Sequence, residues 1–128
     1  MAWKNRKVIV LAVSIAASFA APSAIADGKE LLEHCRIAQQ YIKTGQDHGG
    51  MLPAGRCIGY AEGSAQTLNI VGGHVDPLAR VCLPSKLSRA EMVDALVRYL
   101  ESHPKQLKSP EPVLAILAFT DAFPCPGK

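Results

Sequence analysis

The stretch SRAEMVDALVRYLESHP, residues 88–104, carries the clearest structural signals in the chain. Ser88 followed three residues later by Glu91 is a capping box, in which hydroxyl and carboxylate each take up a free amide of a helix's first turn. Behind it Met92, Val93, Leu96, Val97 and Leu100 recur at three-to-four spacing as a broad apolar stripe, and Pro104 ends the run. A helix with so wide an apolar face is stable only when packed against others, so its partners must lie in the flanking sequence.

Downstream, Ser109 as N-cap and Pro110 at the first helical position open a further helix, apolar on all sides from Val113 to Phe119. That pattern predicts cover everywhere, from other helices or from a second subunit. Upstream, Leu31, Cys35, Ala38 and Ile42 share one face over about residues 29–43, and Cys57, Tyr60, Ala61, Ser64 and Leu68 share another over about residues 54–69. Gly55, Gly59 and Gly63 weaken the latter helix by up to about 1 kcal/mol each relative to alanine. Gly59 and Gly63 lie one turn apart, and close approach of a neighbouring helix is the expected reason for them. Glycines and Pro53 mark residues 44–53 as a loop, and Gly72, Gly73, Pro77 and Pro84 mark a longer one over residues 71–87. The expected fold is all-α, a small bundle of four helices or five.

The chain has 128 residues, and its first 26 read as a cleavable signal peptide. Lys4, Arg6 and Lys7 precede an apolar run from Val8 to Ala21, and Ala24-Ile25-Ala26 is the small-x-small pattern that signal peptidase cuts after. The run is shorter than the ~20 residues a spanning helix needs, and no basic cluster follows it. The expectation is a periplasmic domain of residues 27–128, with no membrane association after cleavage. Three basic residues leave with the signal, so the precursor's formal charge of +3 belongs to targeting and the domain itself is neutral. A neutral domain lacks the basic surface that nucleic-acid binding requires.

Cys35, Cys57, Cys82 and Cys125 form an even set in a short exported chain, which predicts two disulfides. Short connections make successive helices antiparallel. Cys35 and Cys57 then flank the turn of the first hairpin, while Cys82 and Cys125 meet at one end of the second. This geometry favours Cys35 with Cys57 and Cys82 with Cys125, with the other two connectivities left open.

No catalytic, cofactor-binding or metal-ligating constellation emerges. His34, His48, His74 and His103 are scattered, no C-x-x-C pair occurs, and an even cysteine count leaves no spare nucleophile. Within the long loop, Gly72, Gly73, His74 and Asp76 combine backbone freedom with a polar tip. Solvated loop residues are the default reading of His74 and Asp76, a metal or catalytic pair is the least favoured, and partner contact lies between the two. Tyr60 reads as core. A protein that binds rather than transforms is the expected class.

The segments CIGYAEG at residues 57–63, CLP at 82–84, LVRYLESHP at 96–104 and LAFTDAFPC at 117–125 occur in the order found in the Rap/Tai family of type VI secretion amidase immunity proteins, which the chain resembles from Leu31 to Cys125. The matching residues Cys57, Gly59, Tyr60, Gly63, Cys82, Pro84, Tyr99, Leu100, Pro104, Pro124 and Cys125 are nearly all scaffold. The resemblance implies a periplasmic all-helical protein, in some members a homodimer. It implies binding of a secreted peptidoglycan amidase and blockage of its cysteine-histidine cleft by a protruding loop. No family motif fixes the inserted segment in this chain; the length, glycines and polar tip of the long loop make Gly72 to Asp76 the expected one, with the turn from Gly45 to Gly50 the second choice. The alternative is a non-enzymatic periplasmic helper, a stress chaperone or envelope scaffold, with the same fold.

Overall fold

The computed structural model describes residues 27–127; the expected signal peptide lies outside the described residues. Four full helices make the body: α1 (Gly28–Thr44), α2 (Met51–Thr67), α4 (Arg89–Ser102) and α5 (Glu111–Ala122). Between α2 and α4 the chain runs through a π-helical turn (Leu68–Gly72), a single α-turn α3 (Gly73–Val75) and a 3-10 turn (Pro77–Ala79). Among the described residues there is no strand, only an isolated bridge between Asp27 and Pro110. The all-α expectation therefore stands.

Local chemistry sets the boundaries. Asp27 caps α1, its carboxylate accepting from the Lys29 and Glu30 amides at 3.0 and 3.2 Å, and Gly45 closes the helix in the left-handed region at φ 69°. At α4 the capping box is complete: the Glu91 amide donates to Ser88 Oγ (3.2 Å), and the Ser88 amide donates back to Glu91 Oε2 (2.7 Å). The Ser88 hydroxyl and, to a lesser extent, its amide hold the Glu91 carboxyl below its ordinary value. Its contribution to stability is present at neutral pH and lost as the pH falls through that lowered value.

Two boundaries differ from expectation. Helix α2 begins at Met51, three residues earlier than read, because Pro53 sits within the first turn, where its missing amide has no intrahelical partner to lose. Helix α5 begins at Glu111, with Pro110 rather than Ser109 as its cap. The extended Pro110 bridges to Asp27, and its carbonyl accepts from Val113 (3.0 Å) and Leu114 (3.2 Å), doing the work expected of a capping side chain.

The core is made by large residues from three helices and small ones from the fourth. Leu31 of α1, Val93, Leu96 and Leu100 of α4, and Leu114 and Phe119 of α5 are fully buried. Helix α2 contributes only Ala54, Cys57, Ala61 and Ala65. The Cys35–Cys57 bridge joins α1 to α2 with both residues at 0 % exposure, and Cys82–Cys125 ties the strand-like segment before α4 to the chain after α5. Both favoured pairings are therefore present.

One packing expectation is overturned. A Cβ built on Gly59 or Gly63 would meet open space, so no helix approaches there. At 100° per residue, each lies about 200° from Cys57 or Ala61, the residues that face the core, and so turns outward. Within one copy of the chain, helix α5 is covered except along a strip at Val113 (44 % exposed) and Leu117 (36 % exposed), where the expected cover from other helices is missing and a second subunit is the remaining source.

Candidate functional site

The first half of the expected long loop is helical. Backbone bonding continues from α2 through Leu68–Gly72 into Gly73–Val75, and the Asp76 amide still donates to the Gly72 carbonyl at 3.0 Å. The chain then reverses: Asp76 is extended, and its carboxylate accepts from the Leu78 amide at 2.8 Å, capping the turn Pro77–Ala79. Gly72 is buried at this reversal, and a Cβ there would collide with the Ala79 carbonyl oxygen, so glycine allows the two arms to close on each other. The result is a compact helical shoulder rather than a slack loop.

What the shoulder presents is mostly apolar. Ile70 is 69 %, Val75 81 % and Leu78 76 % exposed, all within nine residues of chain. Solvated singly, such side chains are unremarkable; three within one short stretch of chain fit a surface used for contact. Of the residues singled out in the sequence, Gly73 and His74 are exposed on α3, Gly72 is buried structure, and Asp76 is exposed with its carboxylate already engaged. Among the described residues no hydrogen bond or ion pair joins His74 to Asp76, so the two do not form a catalytic couple. Glycines and charges do not point to this apolar trio; its signal in the sequence is Val75 and Leu78 within the stretch expected to be loop, with Ile70 just ahead of it.

The turn between α1 and α2 has less to offer. Asp47 Oδ1 accepts from the Gly49 and Gly50 amides at 3.2 and 2.6 Å, and Gly50 takes φ 103° to start α2. A Cβ on Gly49 would press on Ile37. The glycines of this turn therefore serve chain reversal, leaving His48 as its exposed tip.

A polar cluster joins α1, α2 and α5. The Arg56 guanidinium donates to Glu30 Oε1 (2.7 Å) and Glu111 Oε1 (2.8 Å), and lies 2.8 Å from His34 Nδ1. Glu111 is the sole buried charged residue among those described, and its pairing with Arg56 explains how α5 tolerates it. Every polar partner here is another member of the cluster, so it reads as a clamp between helices. Among the described residues no group of three or more histidine, cysteine, aspartate or glutamate side chains is placed to hold a metal ion.

Two grooves flank the body. The larger, about 810 Å³, lies between α1 and α4 and is lined in part by Gln39, Glu91, Asp94 and Phe123. Its carboxylates are occupied, Asp94 by Gln39 at 2.6 Å and Glu91 by Ser88. The other, about 420 Å³, runs between α2 and α5 over Gly59, Tyr60, Gly63, Leu68, Pro112 and Ile116. Tyr60 is only partly buried and lines this groove, with its Oη shielded from water and without a hydrogen-bond partner of proper geometry. Burial, then the Glu111 carboxylate, raises the phenol above its ordinary value, while Ser64 and Arg56 act weakly the other way.

The family of Rap1a immunity proteins matches residues 27–125, nearly the whole of the described domain. No curated protein and no solved structure matches the chain. An immunity protein acts by binding a cognate secreted effector, and the exposed Ile70, Val75 and Leu78 on one short segment accord with that role. On the strength of a match that spans the helical bundle and both disulfides, the chain belongs to the Rap1a immunity protein family.

Proposed function

We propose that the protein is a periplasmic immunity protein that binds a type VI-secreted peptidoglycan amidase and closes its active-site cleft with the shoulder formed by residues 68–79. Residues 1–26 direct export and are removed, releasing the domain into a compartment where its two bridges form. The family match supports the class of partner, and its start at Asp27 supports the domain boundary. Binding rather than catalysis is the whole of its action.

The observation that carries the placement is the exposure of Ile70, Val75 and Leu78 on a segment whose backbone is fixed by the Gly72–Ala79 closure and the Asp76 cap. A segment already ordered loses little conformational entropy on docking, so a modest area is enough for tight binding. His74 stands beside this apolar trio on α3 and supplies a polar contact. A second copy of the chain is part of the same proposal: Val113 and Leu117 on α5 leave an apolar strip for a symmetric partner.

The test is inhibition of purified candidate amidases by the exported domain, with Val75→Ser combined with Leu78→Ser, and His74→Ala separately. The double variant is expected to weaken inhibition at least ~100-fold, as loss of two central apolar anchors does at other interfaces. Asp76→Asn, which keeps a capping oxygen, separates the turn's architecture from its charge. If the double variant folds and inhibits as the parent does, the shoulder is not the contact surface. If no amidase is bound by the parent, the partner class is wrong.

A further inference from the structure

The two disulfides differ in what can reach them. Cys35 and Cys57 are both 0 % exposed between α1 and α2, whereas Cys82 is exposed and its partner Cys125 is 6 % exposed. Cys82 also lines a cleft of about 480 Å³ together with Gly73, His74 and Arg80, so the bridge borders the shoulder itself. A thiolate attacks a disulfide in line with the sulfur–sulfur bond, and access is among the factors that set its rate. Arg80 in the same cleft favours an anionic attacking thiolate.

We propose that Cys82–Cys125 is a reducible latch on the binding shoulder, opened by a dithiol while Cys35–Cys57 stays shut. One thiolate of the reductant forms a bond to Cys82 Sγ, and the bond to Cys125 Sγ breaks, leaving Cys125 as a thiolate that takes up a proton. The reductant's second thiolate then attacks its own sulfur in the mixed disulfide, releasing Cys82 as a thiol. The dithiol is oxidised to a disulfide by two electrons, and the protein gains two thiols.

Opening this link frees two segments that no helix contains. The chain from Arg80 to Leu87 would keep the buried Val81 and the bond from the Cys82 amide to the Phe123 carbonyl at 3.0 Å as anchors, and it leads directly from Ala79, whose carbonyl braces Gly72. The shoulder therefore loosens while the four-helix body, held by its core and by Cys35–Cys57, keeps its helicity. That this changes binding rests on the function proposed above; the order in which the bridges open does not.

The experiment is a titration of the native, exported domain with dithiothreitol in the absence of denaturant, quenched by iodoacetamide and read by peptide mass mapping and far-ultraviolet circular dichroism. Cys82 and Cys125 are expected to be alkylated at reductant concentrations at least ~10-fold below those that label Cys35 and Cys57, with helicity retained. Simultaneous labelling of all four cysteines, earlier labelling of Cys35 and Cys57, or loss of helicity with the first bridge would overturn the proposal. For an amidase that the oxidised domain inhibits, the half-reduced domain is expected to bind at least ~10-fold more weakly. Unchanged binding would refute the regulatory role, whereas failure of the oxidised domain to bind any amidase bears on the function and leaves the order of opening to the labelling result.

Discussion

The α1–α2 hairpin and the segment from residue 68 to residue 87 are each secured by one disulfide, yet the bridges stand in opposite surroundings. In the hairpin the sulfurs are dry and take the place of packing: the residues α2 buries are three alanines and Cys57, too little apolar area to hold a helix carrying three exposed glycines. In the later segment the bridge joins irregular backbone at the surface, and Ile70, Val75 and Leu78 nearby are left uncovered. A covalent link thus substitutes for a core in one region and fixes a presenting surface in the other.

Removing the bridges one at a time tests that contrast most severely. Loop-closure entropy alone makes the 43-residue link worth slightly more than the 22-residue one, with both near 3–4 kcal/mol. Packing reverses the order, because replacing Cys35 and Cys57 by alanine also leaves two sulfur-sized voids in the core, roughly 1 kcal/mol each on the scale of an Ile→Val truncation. Urea unfolding is expected to show a loss of about 5 kcal/mol for Cys35→Ala with Cys57→Ala, against about 4 kcal/mol for Cys82→Ala with Cys125→Ala. An equal or inverted order would mean that chain entropy, and not burial, distinguishes the two regions.

A gentler probe exploits the glycines, which play contrary parts in the two regions. Gly72→Ala drives a methyl into the Ala79 carbonyl and is expected to cost about 2 kcal/mol, with faster amide hydrogen exchange confined to residues 68–80. Gly59→Ala and Gly63→Ala place their methyls in open space on a helical backbone and are expected to raise stability by about 0.5–1 kcal/mol each. Destabilisation by either of the latter, measured by the same unfolding curves, would show that something covers the outer face of α2 after all. The groove beside that face holds the Tyr60 hydroxyl, for which no bonding partner exists among the described residues.

Much of this could be read from the chain beforehand because the signals were local. Ser88 and Glu91 announce α4 through chemistry confined to one turn, and the two hairpins bring the right cysteines together once the connections are short. The shoulder was less legible: Gly72 and Gly73 read as a break, but the backbone stays helical because Gly72 permits a close closure on Ala79, a contact visible only in three dimensions. The misplacement of Gly59 and Gly63 had a different origin. Their mutual spacing carries no phase relative to Cys57, and two residues past a core position is nearly the opposite side of a helix. The uncovered strip on α5 follows from the small number of helices, since four cannot surround one of their own.

The way the domain starts has a practical side. Asp27 caps α1 and bridges to Pro110, the Gly28 amide donates to the Leu107 carbonyl at 2.8 Å, and a Cβ on Gly28 would lie 2.5 Å from Leu114 Cδ1. The first two residues after the expected cleavage point are thus already part of the seam between α1 and the connection into α5. An affinity handle fused directly ahead of Asp27 would have to leave the body at that seam with no spacer, so recombinant versions are better labelled behind Lys128, beyond the second bridge.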